Sequence, residues 1–239
     1  MDTKKYYFPP VGFGFWFQLG VLNSIKDENY LIYGSSAGSI TCLMNILKPE
    51  DRNLENILSI SNKIRKKYKY NINFFNFIND FIKQIYTIIQ TYDDTYISNK
   101  LKTTYIEVSE IHTYYSIPYK VTSCFIQPND LSHLQNLIIA SCFIPLLTIY
   151  KYNPFFYTID DKKYFDGFFG SLSNHKDLIK INSYKYSTLI PRNNKYFKKL
   201  YNLRCNYNFN ETNVNYSILI FLQITFNIFF DLLLYMLLI

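Results

Sequence analysis

Ser36 stands in the run Gly34-Ser35-Ser36-Ala37-Gly38, directly after the apolar stretch Tyr30-Leu31-Ile32-Tyr33. A helix-like run from Ser39 to Leu47 comes next. A Gly-x-Ser-x-Gly segment between a strand and a helix is the context of a nucleophile elbow. The turn is so tight that side chains at Gly34 and Gly38 would collide, and the backbone there takes dihedrals most residues avoid. Such a turn holds the serine hydroxyl out at the carboxyl end of a strand. It also sets it beside a helix amino terminus, whose free N–H groups favour negative charge. For the pentapeptide alone, a plain Gly/Ser turn is the competing reading.

A serine hydroxyl is a poor nucleophile without a base. Histidine is the usual base, and the chain has His112, His133 and His175. His112 falls in a strand-hairpin region and His133 starts a helix. Asp166 and His175 fit the order serine, acid, histidine, but they lie close together with no clear strand for each. The alternative is a Ser–Asp dyad.

These groups need strands and helices to position them. Lys4 to Val11 is aromatic and strand-like. Gly12-Phe13-Gly14 is a glycine turn opening a buried helix to about Lys26. Such a turn presents backbone N–H groups that suit an oxyanion hole. Pro49-Glu50-Asp51 ends the elbow helix. Leu54 to Ile89 carries apolar residues at helical spacing, predicting two or three helices broken near Asn71 to Asn73, with Lys63 to Lys69 as a basic face. Thr103 to Ser109 and Tyr119 to Phe125 alternate as strands, joined as a hairpin through Tyr114 to Pro118. Asn129 or Asp130 caps a helix from Leu131 to about Ser141, and Pro145 keeps that helix from running on. Lys162 to Phe165 is a short strand leading into Asp166-Gly167, and Asp177 to Ser183 a last one. Alternating helices and strands predict an α/β layered domain.

The chain has 239 residues, 49% of them hydrophobic, enough for one substantial domain with a sizeable core. Its bias toward Tyr, Phe, Ile, Asn and Lys is what an A/T-rich coding sequence produces, so isolated clusters of these carry no message. The net charge of +7 suits nucleic acid or an anionic membrane surface. No zinc spacing, helix-turn-helix signature or RNA-binding motif supports nucleic acid. Cys42, Cys124, Cys142 and Cys205 have no paired spacing and read as core residues in a reducing compartment. No secretory signal is visible. Residues 1–175 read as the catalytic domain, 176–215 as a basic linker or extension, and 216–239 as a hydrophobic helix long enough to span a bilayer. Gln223, Asn227 and Asp231, four residues apart, share one face of that helix. Three readings compete for it: a tail anchor meeting a partner helix through that stripe, an interfacial helix, or a helix packed on the domain.

Several ordered segments resemble the patatin-like phospholipases, most closely their adipose triglyceride lipase and adiponutrin branch. Gly12-Phe13 with Gly20-Val21-Leu22 resembles the family's glycine loop and first helix. Ile32 to Thr41 resembles its elbow nearly residue for residue. Ala140-Ser141-Cys142-Phe143-Ile144-Pro145-Leu146 and Tyr164-Phe165-Asp166-Gly167 resemble its two later motifs. The resemblance implies a three-layer fold with a central mixed, mainly parallel sheet between helices. It implies Ser36 as nucleophile and Asp166, supported by Gly167, as the base. It implies an oxyanion hole from Gly12, Phe13 and Gly14 with Ala37, and neither metal nor cofactor. An acyl chain would occupy an apolar channel lined by the helices between Leu54 and Ile89.

The expected activity is hydrolysis of a fatty-acyl ester in a phospholipid or acylglycerol, with the catalytic domain facing the cytosol at a membrane or lipid droplet. Four residues at three places depart from the family pattern. Phe15 stands where a further glycine is expected, Pro9-Pro10 where glycine or serine is common, and Phe168 where a small residue follows Asp-Gly. A bulky side chain or stiff loop there would distort the oxyanion hole or fill the pocket. A non-catalytic lipid-binding protein and a lipid acyltransferase are the rival readings.

Overall fold

Tyr, Ile, Val and Phe fill the runs that become strands, because branched and aromatic side chains pack well on a pleated surface. The computed structural model describes residues 3–12, 14–27, 29–68, 74–114, 117–144, 156–167, 177–181 and 194–203. Within them seven strands form one sheet. Strands β1 (Lys4–Phe8), β2 (Tyr30–Ser35) and β3 (Thr104–Tyr114) run parallel, and β7 (Ile179–Lys180) adds in parallel to β1. β4 (Ile117–Ile126) and β6 (Lys162–Phe165) pair antiparallel with β3, and β5 (Tyr157–Ile159) pairs antiparallel with β6. The sheet is thus mixed, with as many antiparallel as parallel pairings rather than mainly parallel. The reason is that both partners brought in after β3 arrive through hairpins or returning chain. The β5–β6 turn at Asp160-Asp161 has φ of 47° and 63°, the positive pair that a two-residue hairpin turn requires.

The register along β3 decides where the site forms. β4 occupies one edge of β3 from Ile106 onward. β2 and β6 must therefore share the other edge. β2 ends with Ser35 opposite Glu107, and β6 ends with Phe165 opposite Ser109. One strand is parallel and the other antiparallel to β3, so they meet head-on. The next residue of each, Ser36 and Asp166, emerges at the same place.

Strand alternation separates two faces. Tyr6, Phe8, Ile32, Ile106 and Val108 enter the core with α1 (Phe15–Leu22), α2 (Ala37–Ile46) and α6 (Leu131–Ser141). The other face carries Tyr7, Tyr33, Tyr105 and Phe125, with Tyr33 stacked on Tyr105 at 4.7 Å and meeting Phe125 edge-on at 5.0 Å. Every residue of α1 is buried, including its one polar member Gln18, which donates to Pro9 O at 2.7 Å and accepts from Thr41 Oγ1 at 3.0 Å. α3 (Leu54–Tyr68) and α4 (Phe74–Ile89) match the expected helices, and 69–73 lie outside the described residues. α5 (Asp94–Leu101) was not expected. Asp93 caps it, its carboxylate accepting from the N–H groups of Thr95 and Tyr96.

β7 and α7 (Asn194–Asn202) come from the stretch read as a basic linker. Phe197 of α7 is fully buried and stacks on Trp16 of α1 at 4.9 Å between centroids. Among the described residues no helix is long and apolar enough to cross a membrane. The hydrophobic segment 216–239, with Gln223, Asn227 and Asp231, lies outside the described residues.

Candidate active site

Ser36 lies between β2 and α2 with φ 51° and ψ −119°. Such backbone costs a non-glycine residue roughly 1–3 kcal/mol and is held only where its surroundings enforce it. The glycines around it show what enforces it. A Cβ on Gly34 would lie 2.2 Å from the carbonyl oxygen of Gly38, and one on Gly38 would lie 1.8 Å from that of Phe8. α2 is pressed against the ends of β1 and β2, so only hydrogen fits at both positions.

Ser36 Oγ donates to Asp166 Oδ2 at 2.7 Å, across 130 residues of chain. Ser36 is half-buried, whereas Asp166 is 1% exposed. The Asp166 backbone is fixed on both sides. Its N–H donates to Phe143 O at 2.7 Å, and its carbonyl accepts from Ser109 Oγ at 2.9 Å. Gly167 comes next without room for a side chain, since a Cβ there would lie 2.4 Å from Ser35 Oγ and 2.5 Å from Glu107 O.

Ser36 has its own support. The Ser36 N–H donates to Ser141 Oγ at 2.8 Å, and Ser141 Oγ donates in turn to Glu107 O at 2.6 Å. Ser39 Oγ donates to Ser36 O at 2.5 Å. Ser141 and Ser109 thus tie the backbones of Ser36 and Asp166 to β3, at Glu107 and Ser109. The sequence places Ser141 within a motif and Ser109 within a strand but assigns neither a role. Glu107 was missed too. It is fully buried, and accepts from Tyr7 Oη at 2.6 Å and Ser123 Oγ at 2.5 Å. A lone acidic residue in the alternating strand Thr103 to Ser109 was the available signal, since a buried carboxylate must find donors.

Cys142 sits behind the pair. Burial pushes its thiol pKa far up, the charge of Asp166 adds to this, and contact with Ser39 at 3.7 Å opposes it. It stays a neutral thiol and is no rival nucleophile. Burial alone does the same for Cys42.

The oxyanion donors divide. Gly12 takes φ 54° and turns the chain toward α1. The Gly14 N–H donates to Val11 O at 2.9 Å, closing that turn. Phe13 lies outside the described residues. Ala37 is the first residue of α2, where a helix leaves N–H groups without intrahelical partners. Phe15 is 1% exposed, stacked on Trp16 at 4.8 Å and tilted on Phe81 at 5.7 Å. Its ring therefore enters the core. Phe168 lies outside the described residues. Phe77, Phe81, Ile82 and Ile85 of α4, within the helices expected to line an acyl channel, are core residues.

His112 bonds Thr122 Oγ1 through Nε2 at 2.7 Å, and His133 Nδ1 accepts the Asn129 N–H at 3.2 Å. His175 lies outside the described residues. The Ser36 hydroxyl meets the Asp166 carboxylate directly, with no imidazole between them. Among the described residues no group of three or more His, Cys, Asp or Glu side chains is placed to hold a metal. The arrangement suits one kind of chemistry, transfer of a hydroxyl proton to a buried carboxylate as the oxygen attacks an electrophile. No family model, no curated protein and no solved structure matches this chain.

Proposed function

We propose that the protein is a patatin-like lipid acyl hydrolase, acting on a phospholipid or acylglycerol through a Ser36–Asp166 dyad. The observation that carries this is the 2.7 Å hydrogen bond from Ser36 Oγ to Asp166 Oδ2, with Ser36 in strained backbone. An ordinary Gly/Ser turn has no need of either. In the proposed reaction Ser36 Oγ attacks the ester carbonyl carbon and Asp166 takes its proton. The tetrahedral oxyanion is held by the Ala37 N–H and the Gly12-Phe13 segment. The ester C–O bond breaks, and Asp166 passes the proton to the leaving alcohol. Water, deprotonated by Asp166, then attacks the acyl-enzyme and releases the fatty acid and Ser36. The three-layer arrangement, and placement at a membrane or lipid droplet facing the cytosol, belong to the same proposal.

The test is labelling by a fluorophosphonate probe in detergent, beside release of fatty acid from mixed phospholipid and triacylglycerol micelles. Wild type should label. Ser36→Ala should not, and Asp166→Asn should label roughly 10²–10⁴-fold more slowly, the usual contribution of a positioned base. Normal hydrolysis by Ser36→Ala would overturn the proposal.

A further inference from the structure

α3 and α7 come from opposite ends of the chain and enclose a groove of about 450 Å³. Its walls carry Ser59, Asn62, Lys63 and Lys66 from α3, with Asn194 and Lys198 from α7. The two helices are tied across it. Arg65 donates to Asn194 Oδ1 at 3.3 Å, and Phe197 and Leu200 anchor α7 in the core. The groove is thus a fixed feature of the fold.

Its chemistry is one-sided. The lining groups are ammonium, amide and hydroxyl, with Glu55 as the one carboxylate. Lys67, the neighbour of Lys66, is used up in an ion pair with Asp80 of α4 at 2.7 Å. Among the described residues Lys63 and Lys66 have no such partner. Lys198 pairs with Glu55 at 2.7 Å, but the two side chains are 47% and 72% exposed, and a pair that open to water holds weakly. A ligand bearing several anionic oxygens would engage all three lysines and displace Glu55.

We propose that this groove is a docking site for phosphorylated headgroups of an anionic membrane. Other polyanions fit it less well. Among the described lining residues there is no aromatic ring on which a base could stack, the usual platform for single-stranded nucleic acid. Its apolar member, Leu58, is 2% exposed and offers no bed for an acyl chain. The groove therefore takes the head of a lipid and not its tail. The choice of a lipid source rests on the acyl hydrolase reading, and the groove would hold that enzyme against its substrate layer.

The experiment uses the full chain and sedimentation with vesicles of phosphatidylcholine, alone or with 20% phosphatidic acid, at about 0.1 M salt. The groove variant is Lys63→Gln/Lys66→Gln/Lys198→Gln. A control of equal charge, Lys83→Gln/Lys102→Gln/Lys120→Gln, removes exposed lysines elsewhere. Glu55→Gln tests the opposite sign. The groove variant should lose at least about tenfold in affinity for the anionic vesicles, the control should stay within about twofold of wild type, and Glu55→Gln should bind more tightly. Equal losses in the two triple variants would overturn the proposal, since the effect would then be net charge alone. So would binding of glycerol phosphate as tight as that of vesicles. Melting temperature confirms folding of each variant. Ser36 labelling in detergent, measured alongside, should be unchanged in the groove variant. It reports the active site separately, so either reading can fail without the other.

Discussion

The hydroxyl of Ser141 accepts the backbone N–H of Ser36 at 2.8 Å. That bond joins the end of α6 to the turn that carries Ser36. Ser141→Ala would leave the Ser36 N–H and Glu107 O without this partner, a loss of roughly 1–3 kcal/mol. The expected outcome is a fall of about tenfold or more in the fluorophosphonate labelling rate with the chain still folded. A Ser109→Ala variant should act in the same direction through the Asp166 carbonyl. Unchanged labelling rates in both would show that β3 does not position the pair.

The elbow glycines should be intolerant of the smallest change. A methyl group at Gly38 would meet Phe8 O at 1.8 Å and one at Gly34 would meet Gly38 O at 2.2 Å. Neither obstacle is a flexible side-chain end. Gly34→Ala and Gly38→Ala should each cost about 3 kcal/mol or more, read as a drop of roughly 10 °C in Tm. Melts within 2 °C of wild type would mean the contact relaxes cheaply.

Glu107 is buried between β1, β3 and β4 by two hydroxyl donors. Tyr7→Phe removes the donor on β1 and keeps the ring. A hydrogen bond to a carboxylate contributes about 1.5–3 kcal/mol, and the melt should fall accordingly. Because Glu107 O also receives Ser141, labelling of Ser36 should slow as well. A lowered Tm with normal labelling would confine Glu107 to a structural role.

The described cysteines, Cys42, Cys124 and Cys142, should be quiet at neutral pH. Cys124 is pushed up to about 11, first by burial and then by Glu110, with Lys162 opposing. At pH 8 its thiolate fraction is roughly a hundredfold below that of an ordinary thiol. Iodoacetamide should modify Cys124 slowly in the folded chain and rapidly in urea. The folded pKa is the raised one. Its stabilisation is therefore complete below about pH 8.5 and is lost as the pH climbs to about 11. Cys124→Ser should flatten that part of the stability curve.

Much of the architecture was legible because the periods were clean. The elbow, the β3–β4 hairpin, the α6 cap and the Lys162–Phe165 strand arise from local pattern, and of the two expected caps, Asn129 and Asp130, it is Asp130 that caps α6. α5 was not legible, because Asp94 to Leu101 is short and leaves only Ile97 and Leu101 buried. β5 has three residues and is held by β6 rather than by propensity. The pairing of Ser36 with Asp166 was expected from resemblance alone. Its cause, two strands meeting head-on along one edge of β3, depends on register, which no single segment encodes. The bond from the Gly14 N–H to Val11 O was not legible for a similar reason, since a glycine turn does not announce which of its amides it spends on itself.

The stack of Trp16 on Phe197 joins the first helix to the last one described. During synthesis at about 5–20 residues per second, Phe197 is added roughly 10–40 s after Trp16. For that interval the indole has no cover from α7, although β1, α1 and β2 have already been made. The nascent chain therefore exposes a large aromatic surface long before it has a complete site, and a chaperone able to bind such surfaces would find its opening there. A ribosome stalled after residue 175 and another stalled well past 203 should differ in that binding, because only the second has made β7 and α7, which cover β1 and α1.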